Sequence, residues 1–378
     1  MRIFSSIKYA ATIVASGAAL SALAVIGAAS QQMPPDGRAL FNANCATCHG
    51  ADGTGSARHN PAEVGFDLPL PNFADCSFAN READADWSSI IHRGGPRRAF
   101  PRVMPAFGEA LSDEEIDAII GYIRTFCTDQ RWVRGEFNFP RGIFTEKAFP
   151  EDEFVLTSAI NTSGPTDITT QGIYERRFGP RGQLELVFPF SVVDSGPGLG
   201  TNAGIGDFEV EWKQNVFSNV DSGTIVSLMG ASIWPTGNEH RGLGSGSVAF
   251  ETHLLFAQAL PADFVFQGQV FAAFPLKSNL SQEVNWNLNI GKTFAGDDGF
   301  GRAWTPMLEV LGSQEMASGA RTNWDLVPQL QVSLSQRQHI LFAAGARIPV
   351  TNTSERSTQF VFYFVWDWYD APLFEGWR

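Results

Sequence analysis

Val284-Asn285-Trp286-Asn287-Leu288-Asn289-Ile290-Gly291 alternates large apolar residues with amides for four periods. A period of two marks a β-strand whose side chains face two different surroundings. The pattern recurs through the C-terminal half. Leu184, Leu186, Phe188 and Phe190 alternate with Gln183, Glu185, Val187 and Pro189, and Phe208, Val210 and Trp212 with Asp207, Glu209, Glu211 and Lys213. Phe360, Phe362, Phe364, Trp366 and Trp368 close the series. Twelve segments are predicted, near 153–161, 168–177, 182–193, 205–218, 223–235, 247–260, 263–275, 283–294, 302–314, 323–335, 338–349 and 358–368. Strands of a soluble sandwich average five or six residues, whereas tilted strands that cross hydrocarbon need ~9 to 11. Residues 153–378 are therefore expected to form an antiparallel transmembrane β-barrel of about 12 strands, with a secreted all-β sandwich as the competing fold. Asp297-Asp298-Gly299 and residues 237–246 read as connections. An even strand number returns both ends to one side, which in single-chain outer-membrane barrels is the periplasm.

Before the barrel, residues 131–152 show no period but hold Trp132, Phe137, Phe139, Phe144 and Phe149, which predicts a connector packed against the neighbouring domain or the barrel mouth. All four cysteines precede it, so residues 34–130 are a domain of different character, expected to be all-α. Cys45-Ala46-Thr47-Cys48-His49 is a C-x-x-C-H motif, which reads as covalent attachment of one haem c. Thiols at i and i+3 face one side and meet the two vinyl groups, while the following imidazole turns toward the iron. A zinc site using Cys45, Cys48, Cys76 and Cys127, or His49 in place of one of them, is the competing reading. Haem leaves Cys76 and Cys127 over, and an oxidising compartment makes a disulfide their expected fate, against two buried thiols.

Residues 34–130 resemble class I cytochrome c. A helix carrying Gly37, Leu40 and Phe41 leads into the motif, and another, from Asp84 to Ile91 with Trp87, Ile90 and Ile91 on one face, stops at Gly94-Gly95-Pro96. Ser112-Asp113-Glu114-Glu115 is a capping box, with Ile116, Ile119, Ile120 and Ile123 following at helical spacing. The resemblance implies that this last helix crosses the first at Gly37, Phe41 and Tyr122. It also implies a methionine as second axial ligand to the iron, from the loop before the last helix; here that is Met104, with His59 and His92 as competitors. In the family a proline carbonyl orients the ligand histidine, and Pro69 and Pro71 are both candidates. Iron ligated by His49 and Met104 has no open position, so an electron carrier is expected rather than an enzyme. Arg93, Arg97, Arg98 and Arg102 beside Met104 read as a solvated loop, as partners of haem propionates, or as a patch that steers an acidic redox partner.

The chain opens with Arg2 and Lys8 and then an uncharged, alanine-rich run to Gly27-Ala28-Ala29, the layout of a signal peptide over residues 1–29; a retained anchor is the alternative. Without those two cations the balance is 25 Lys+Arg against 40 Asp+Glu, a net of −15, which argues against nucleic acid as a partner. The expected location is the outer membrane of a Gram-negative bacterium, with the cytochrome in the periplasm facing a redox partner and lipid around the barrel. Gly204-Ile205-Gly206-Asp207, Trp234-Pro235-Thr236-Gly237 and Gly242-Leu243-Gly244-Ser245-Gly246 resemble the twelve-stranded outer-membrane family associated with meta-pathway phenol degradation and related transporters. The residues that follow Trp368 depart from its usual aromatic terminus. Three functions follow as expectations: an anchored electron-transfer protein, a channel for a small solute gated or sensed by the haem domain, and an electron-delivering subunit of an enzyme. Asp207, Glu209, Glu211, Lys213, Asn285, Asn287 and Asn289 are the expected lumen lining.

Overall fold

The computed structural model describes residues 35–55, 70–165, 167–194, 196, 200–296, 300–354 and 356–367. The expected signal peptide, His59, Pro69, the Asp297-Asp298-Gly299 connection and Trp368 with the residues after it lie outside the described residues.

The N-terminal domain is built from helices α1 (Gly37–Asn44), α2 (Ala46–His49), α3 (Cys76–Ala79), α4 (Asp84–Arg93) and α5 (Asp113–Arg124). Asp36 caps α1 by accepting the N–H groups of Arg38 and Ala39 at 3.0 and 3.1 Å. The expected capping box of α5 forms between Ser112 and Glu115. α1 and α5 cross at Gly37, where an added Cβ would lie 1.9 Å from the Ala118 carbonyl oxygen, so glycine alone permits the approach. One turn on, the fully buried Phe41 ring packs edge-on against Tyr122 and Phe126, each with centroids 5.4 Å away. Ile116, Ile119, Ile120 and Ile123 bury with Phe73, Trp87 and Ile91 into one core.

Cys76 and Cys127 form the expected disulfide, with Cα atoms 5.0 Å apart, and tie α3 to the end of α5. The bridge spans a sequence separation of 51, for which the chain-entropy argument gives about 4 kcal/mol of stabilisation. It also consumes the thiols that a four-cysteine zinc site would need.

The C-terminal part is one closed antiparallel sheet of twelve strands. They are Glu153–Asn161, Asp167–Phe178, Gly182–Asp194, a broken strand Thr201–Ile205 with Phe208–Asn219, Thr224–Trp234, Ala249–Leu260, Phe264–Pro275, Glu283–Lys292 with a short continuation Phe294–Gly296, Phe300–Glu315, Asn323–Ser333, Ile340–Pro349 and Gln359–Asp367. Closure comes from the first strand pairing with the last, Glu153 opposite Asp367 through to Asn161 opposite Gln359. All twelve expected strands are present. The broken strand differs from its expected course because Asp207 leaves the ladder and accepts hydrogen bonds from Gly237 N–H at 3.0 Å, Ser245 N–H at 2.7 Å and Ser245 Oγ at 2.8 Å. Asp207 thus organises the loop over residues 235–248 instead of standing free in the lumen.

The barrel is polar inside and apolar outside. Glu175, Gln183, Lys213 and Glu309 are fully buried, whereas Leu156, Leu228, Leu254, Val270, Leu288, Leu308 and Leu330 are 37–50% exposed on the outer face. Water would disfavour that inversion, and a hydrocarbon surround favours it, since the ladder satisfies every strand and no edge remains. Aromatic residues border the aliphatic band. Phe178, Phe217, Phe264, Phe294 and Trp304 ring the end with short turns, and Phe190, Trp234, Phe250 and Phe360 the end with longer loops.

Candidate functional site

Cys45 joins α1 to α2, its N–H donating to Phe41 O at 2.8 Å and its carbonyl accepting the His49 N–H at 2.9 Å. Gly50, at φ +78°, then ends the turn. Cys45 and Cys48 stand three residues apart outside any disulfide, and the His49 ring lies 5.2 Å from Phe73. Burial pulls the His49 imidazole down to about 4, so it is neutral at physiological pH with its lone pair available. Burial, aided by the neighbouring Cys48, pushes the Cys45 thiol up to about 11. His49 Nδ1 is buried without a partner among the described residues, so the Pro71 carbonyl does not hold it.

Met104 packs on the same core. α4 stops at Gly94, at φ +81°, and the chain makes a 3-10 turn, Gly95–Arg98. Gly95 N–H donates to Met104 O at 3.0 Å, and a Cβ on Gly95 would sit 2.4 Å from Pro101 O and 3.2 Å from Met104 Cβ. The Met104 and Cys45 side chains both pack on the cluster around Phe41 and Trp87. His92 lies at the end of α4, 3.5 Å from Asp113, with its carbonyl accepting the Gly108 N–H at 2.9 Å. The Cys45 thiol and the Met104 thioether on one apolar core, the neutral His49 imidazole against Phe73 of that core and the exposed Cys48 thiol three residues from Cys45 form a donor set that fits haem c.

Of the four arginines near Met104, read as a solvated loop, as propionate partners or as a steering patch, Arg98 is buried in carboxylate pairs. It is 4% exposed and pairs with Asp86 at 3.0 Å and Glu82 at 3.8 Å. Burying a guanidinium is tolerable only with such partners. The domain is held to the turn end of the barrel by several contacts of this kind. His339 lies 3.8 Å from Glu82 and Gln336 donates to Pro96 O at 2.8 Å, while the connector is tied to both sides by Arg81, 3.6 Å from Asp152, and by Arg177, which donates to Val133 O at 3.0 Å. Asp84 receives Arg124 at 2.7 Å and Arg134 at 2.8 Å. Burial opposes its charge, but the two guanidinium groups outweigh that and hold the Asp84 carboxyl below its usual range.

The connector does more than pack at the barrel mouth: its second half lies inside the lumen. Glu309, on the wall, accepts the N–H groups of Ile143, Phe144 and Thr145 at 2.8, 3.2 and 2.7 Å, and the Thr145 hydroxyl at 2.6 Å. Around it, Gln269 Oε1 accepts the Glu146 N–H at 2.9 Å, Asn287 donates to Phe144 O at 2.9 Å, and Gln267 donates to Pro140 O at 2.7 Å. Tyr363 donates to Arg141 O at 2.8 Å. These residues lie on three neighbouring strands and on the last one, and on the opposite wall Ser227 donates to Ala148 O while Gln183 Oε1 accepts the Glu151 N–H, so the segment is held all round. Phe137 and Phe149, with Val133, bury against Ile225, Met229 and Leu255.

Arg141 explains why the lumen needs this plug. Along the hydrogen-bonding direction, Glu175, Glu185, Glu211, Ala231, Glu251, Ala273, Glu283 and Glu315 stand opposite one another, strand to strand, in one unbroken row. Adjacent like charges at ~5 Å destabilise a sheet. At the turn end the row is neutralised: Arg141 pairs with Glu175 at 2.8 Å and Glu153 at 3.2 Å, and Lys213 pairs with Glu185 at 2.8 Å. Toward the loop end the row opens into a cavity of about 280 Å³, lined by Glu146, Glu185, Glu209, Glu211, His253 and Arg347 among others. Glu209, Glu211, Asn285 and Asn287 thus face the lumen as expected, Lys213 is spent on Glu185, and Asn289 is buried beside Met307.

Fold and site together define a small helical cytochrome c domain ahead of a closed, twelve-stranded antiparallel barrel. Residues 32–123 match the family model described as cytochrome C oxidase, cbb3-type, subunit III. Among solved structures, the chain is similar to the COG4313 outer membrane channel from Pseudomonas putida F1, at 14% identity over 60% of this chain and 99% of that one, with a TM-score of 0.42. It is also similar to the KdgM porin in complex with disordered oligogalacturonate, at 9% identity over 57% and 99% with a TM-score of 0.38, and to LpxR from Salmonella typhimurium, at 9% over 57% and 100% with a TM-score of 0.38. At these identities the likeness concerns fold alone. No curated protein matches the chain.

Proposed function

We propose that this chain is an electron-transfer protein whose barrel fixes a single haem c at the periplasmic face of the outer membrane. The observation that carries the reading is that Cys45 and Met104 pack on one core, with the His49 ring against Phe73 of that core and Cys48 one turn from Cys45, in a domain bonded to the barrel's turn end. Cys45 and Cys48 would hold the group by thioether bonds, with His49 and Met104 as axial ligands. A haem held there would supply one-electron exchange, and with His49 and Met104 both on its iron the surrounding residues would orient it and keep water and substrates away. One haem at one face does not cross a hydrocarbon core ~30 Å thick, so electrons pass to and from a periplasmic partner.

The periplasmic placement rests on two features: even strand number and the contacts of the domain with the short turn after Ser333. Protease added to intact cells is expected to cut the loop over residues 235–248 while sparing the haem-stained domain. Release of a soluble haem peptide from intact cells would reverse this topology.

A second reading, a channel for a small solute, draws on the cavity and the carboxylate row beyond the plug. That lining favours cations, and the plug has to be displaced before anything passes.

A further inference from the structure

We propose that the barrel turn over residues 334–339 is a positioning clamp on the Met104 loop, so that the membrane domain sets how firmly the methionine stays on the iron. The proposal rests on Met104 being the axial ligand.

The contacts are specific and arranged in series. Gln336 donates from one Nε2 to the carbonyls of Pro96 and Arg97, both at 2.8 Å. Arg337 donates from Nε to Arg98 O at 3.1 Å and from Nη2 to Ala99 O at 3.2 Å. Four consecutive carbonyls, 96 to 99, are therefore held by two adjacent side chains of the barrel. The Arg337 guanidinium also stacks over the Phe100 ring, 4.2 Å from its centroid, and is 4% exposed. This side chain spans nearly 240 residues of sequence to reach its acceptors.

The clamped segment is the one that fixes Met104. Phe100 N–H donates to Gly95 O at 2.9 Å, Gly95 N–H to Met104 O at 3.0 Å, and Met104 N–H to Pro101 O at 3.4 Å. A shift of residues 96–100 therefore moves both backbone anchors of the ligand. Ala99 adds a reason for the clamp: at φ +56° it occupies the left-handed region, which an L-residue keeps only when its surroundings hold it there. Ala99 N–H donates to Pro96 O at 3.2 Å, and Ala99 O receives Arg337. From behind, Arg98 is fixed by Asp86 and Glu82, and Glu82 faces His339 on the same barrel turn.

A free cytochrome domain would have to supply this rigidity itself. Here the fork of Arg337 supplies it, and a guanidinium is suited to the task because its planar donors stay charged and address two carbonyls at once. Loosening the clamp raises the fraction of molecules in which Met104 is off the iron, and an exogenous ligand that needs that vacated position then binds more tightly in proportion.

The test is an imidazole titration of the haem-loaded, full-length protein in detergent, followed by loss of the sulfur-to-iron charge-transfer band of the oxidised form. Gln336→Ala removes an exposed side chain and leaves the barrel core untouched. Arg337→Lys keeps the charge and loses the fork. Each variant is expected to lower the apparent imidazole dissociation constant by roughly tenfold, equivalent to ~1.4 kcal/mol, while the band remains at zero imidazole and the barrel still shifts on heating in gels. Unchanged imidazole affinity in both variants would overturn the clamp while leaving Met104 ligation standing. Absence of the band from the unaltered protein would overturn the ligand assignment and the clamp with it.

Discussion

Replacing Met104 with alanine is expected to leave the haem covalently attached, abolish the sulfur-to-iron charge-transfer band, and lower the reduction potential on the order of 0.1 V, within the ~0.8 V range that axial ligation commands. The expectation follows from the loop. Gly94 and Gly95 allow the chain to fold back so that the Met104 thioether packs on the core shared with Cys45. Of the two histidine competitors, His92 is the one among the described residues, and its imidazole Nε2 lies 3.5 Å from Asp113. The change removes a soft, electron-poor ligand that favours the reduced metal, so the sign of the shift is downward. Persistence of the band in Met104→Ala would remove Met104 from the ligand set.

The second large effect concerns the plug. Glu309→Ala takes away the acceptor of three consecutive backbone N–H groups and the Thr145 hydroxyl at the centre of the lumen. Removing that acceptor leaves buried donors unsatisfied, at about 1 to 3 kcal/mol each, which is enough to change a closed segment into one that is often displaced. In planar bilayers the unaltered protein is therefore expected to conduct little. The variant should open frequently and favour cations, because the carboxylate row from Glu175 to Glu315 would then face water. Equal conductance in both proteins would show that the segment over residues 138–152 does not obstruct the lumen.

The haem turn and the strands were legible because each carries its signal locally. The motif is five residues long, the capping box of α5 spans Ser112 to Glu115, and every strand announces itself by alternation. The plug was not legible, for a physical reason. Its partners Glu309, Gln269 and Asn287 lie more than 100 residues away, and a polar strand face reads the same whether water or protein backbone satisfies it. The aromatic residues of the connector did indicate packing, but nothing in their spacing distinguishes the barrel mouth from its interior. Arg98 is a similar case. In sequence it belongs to a basic run beside Met104, and its burial depends on Asp86, Glu82 and the barrel residue Arg337 meeting at one point. The carboxylate row appears only once strand register is known, since its members are spread from Glu175 to Glu315 with irregular intervals between them.

Outer-membrane fractionation followed by haem staining of gels, with and without heating, tests the central claim that one chain joins a covalent haem to a closed barrel. The account predicts one haem-stained band in the outer-membrane fraction, near 41.2 kDa less any cleaved leader after boiling and at a shifted position before it. Haem stain confined to the soluble fraction, or a heat-shifted barrel band that carries no haem, would contradict it.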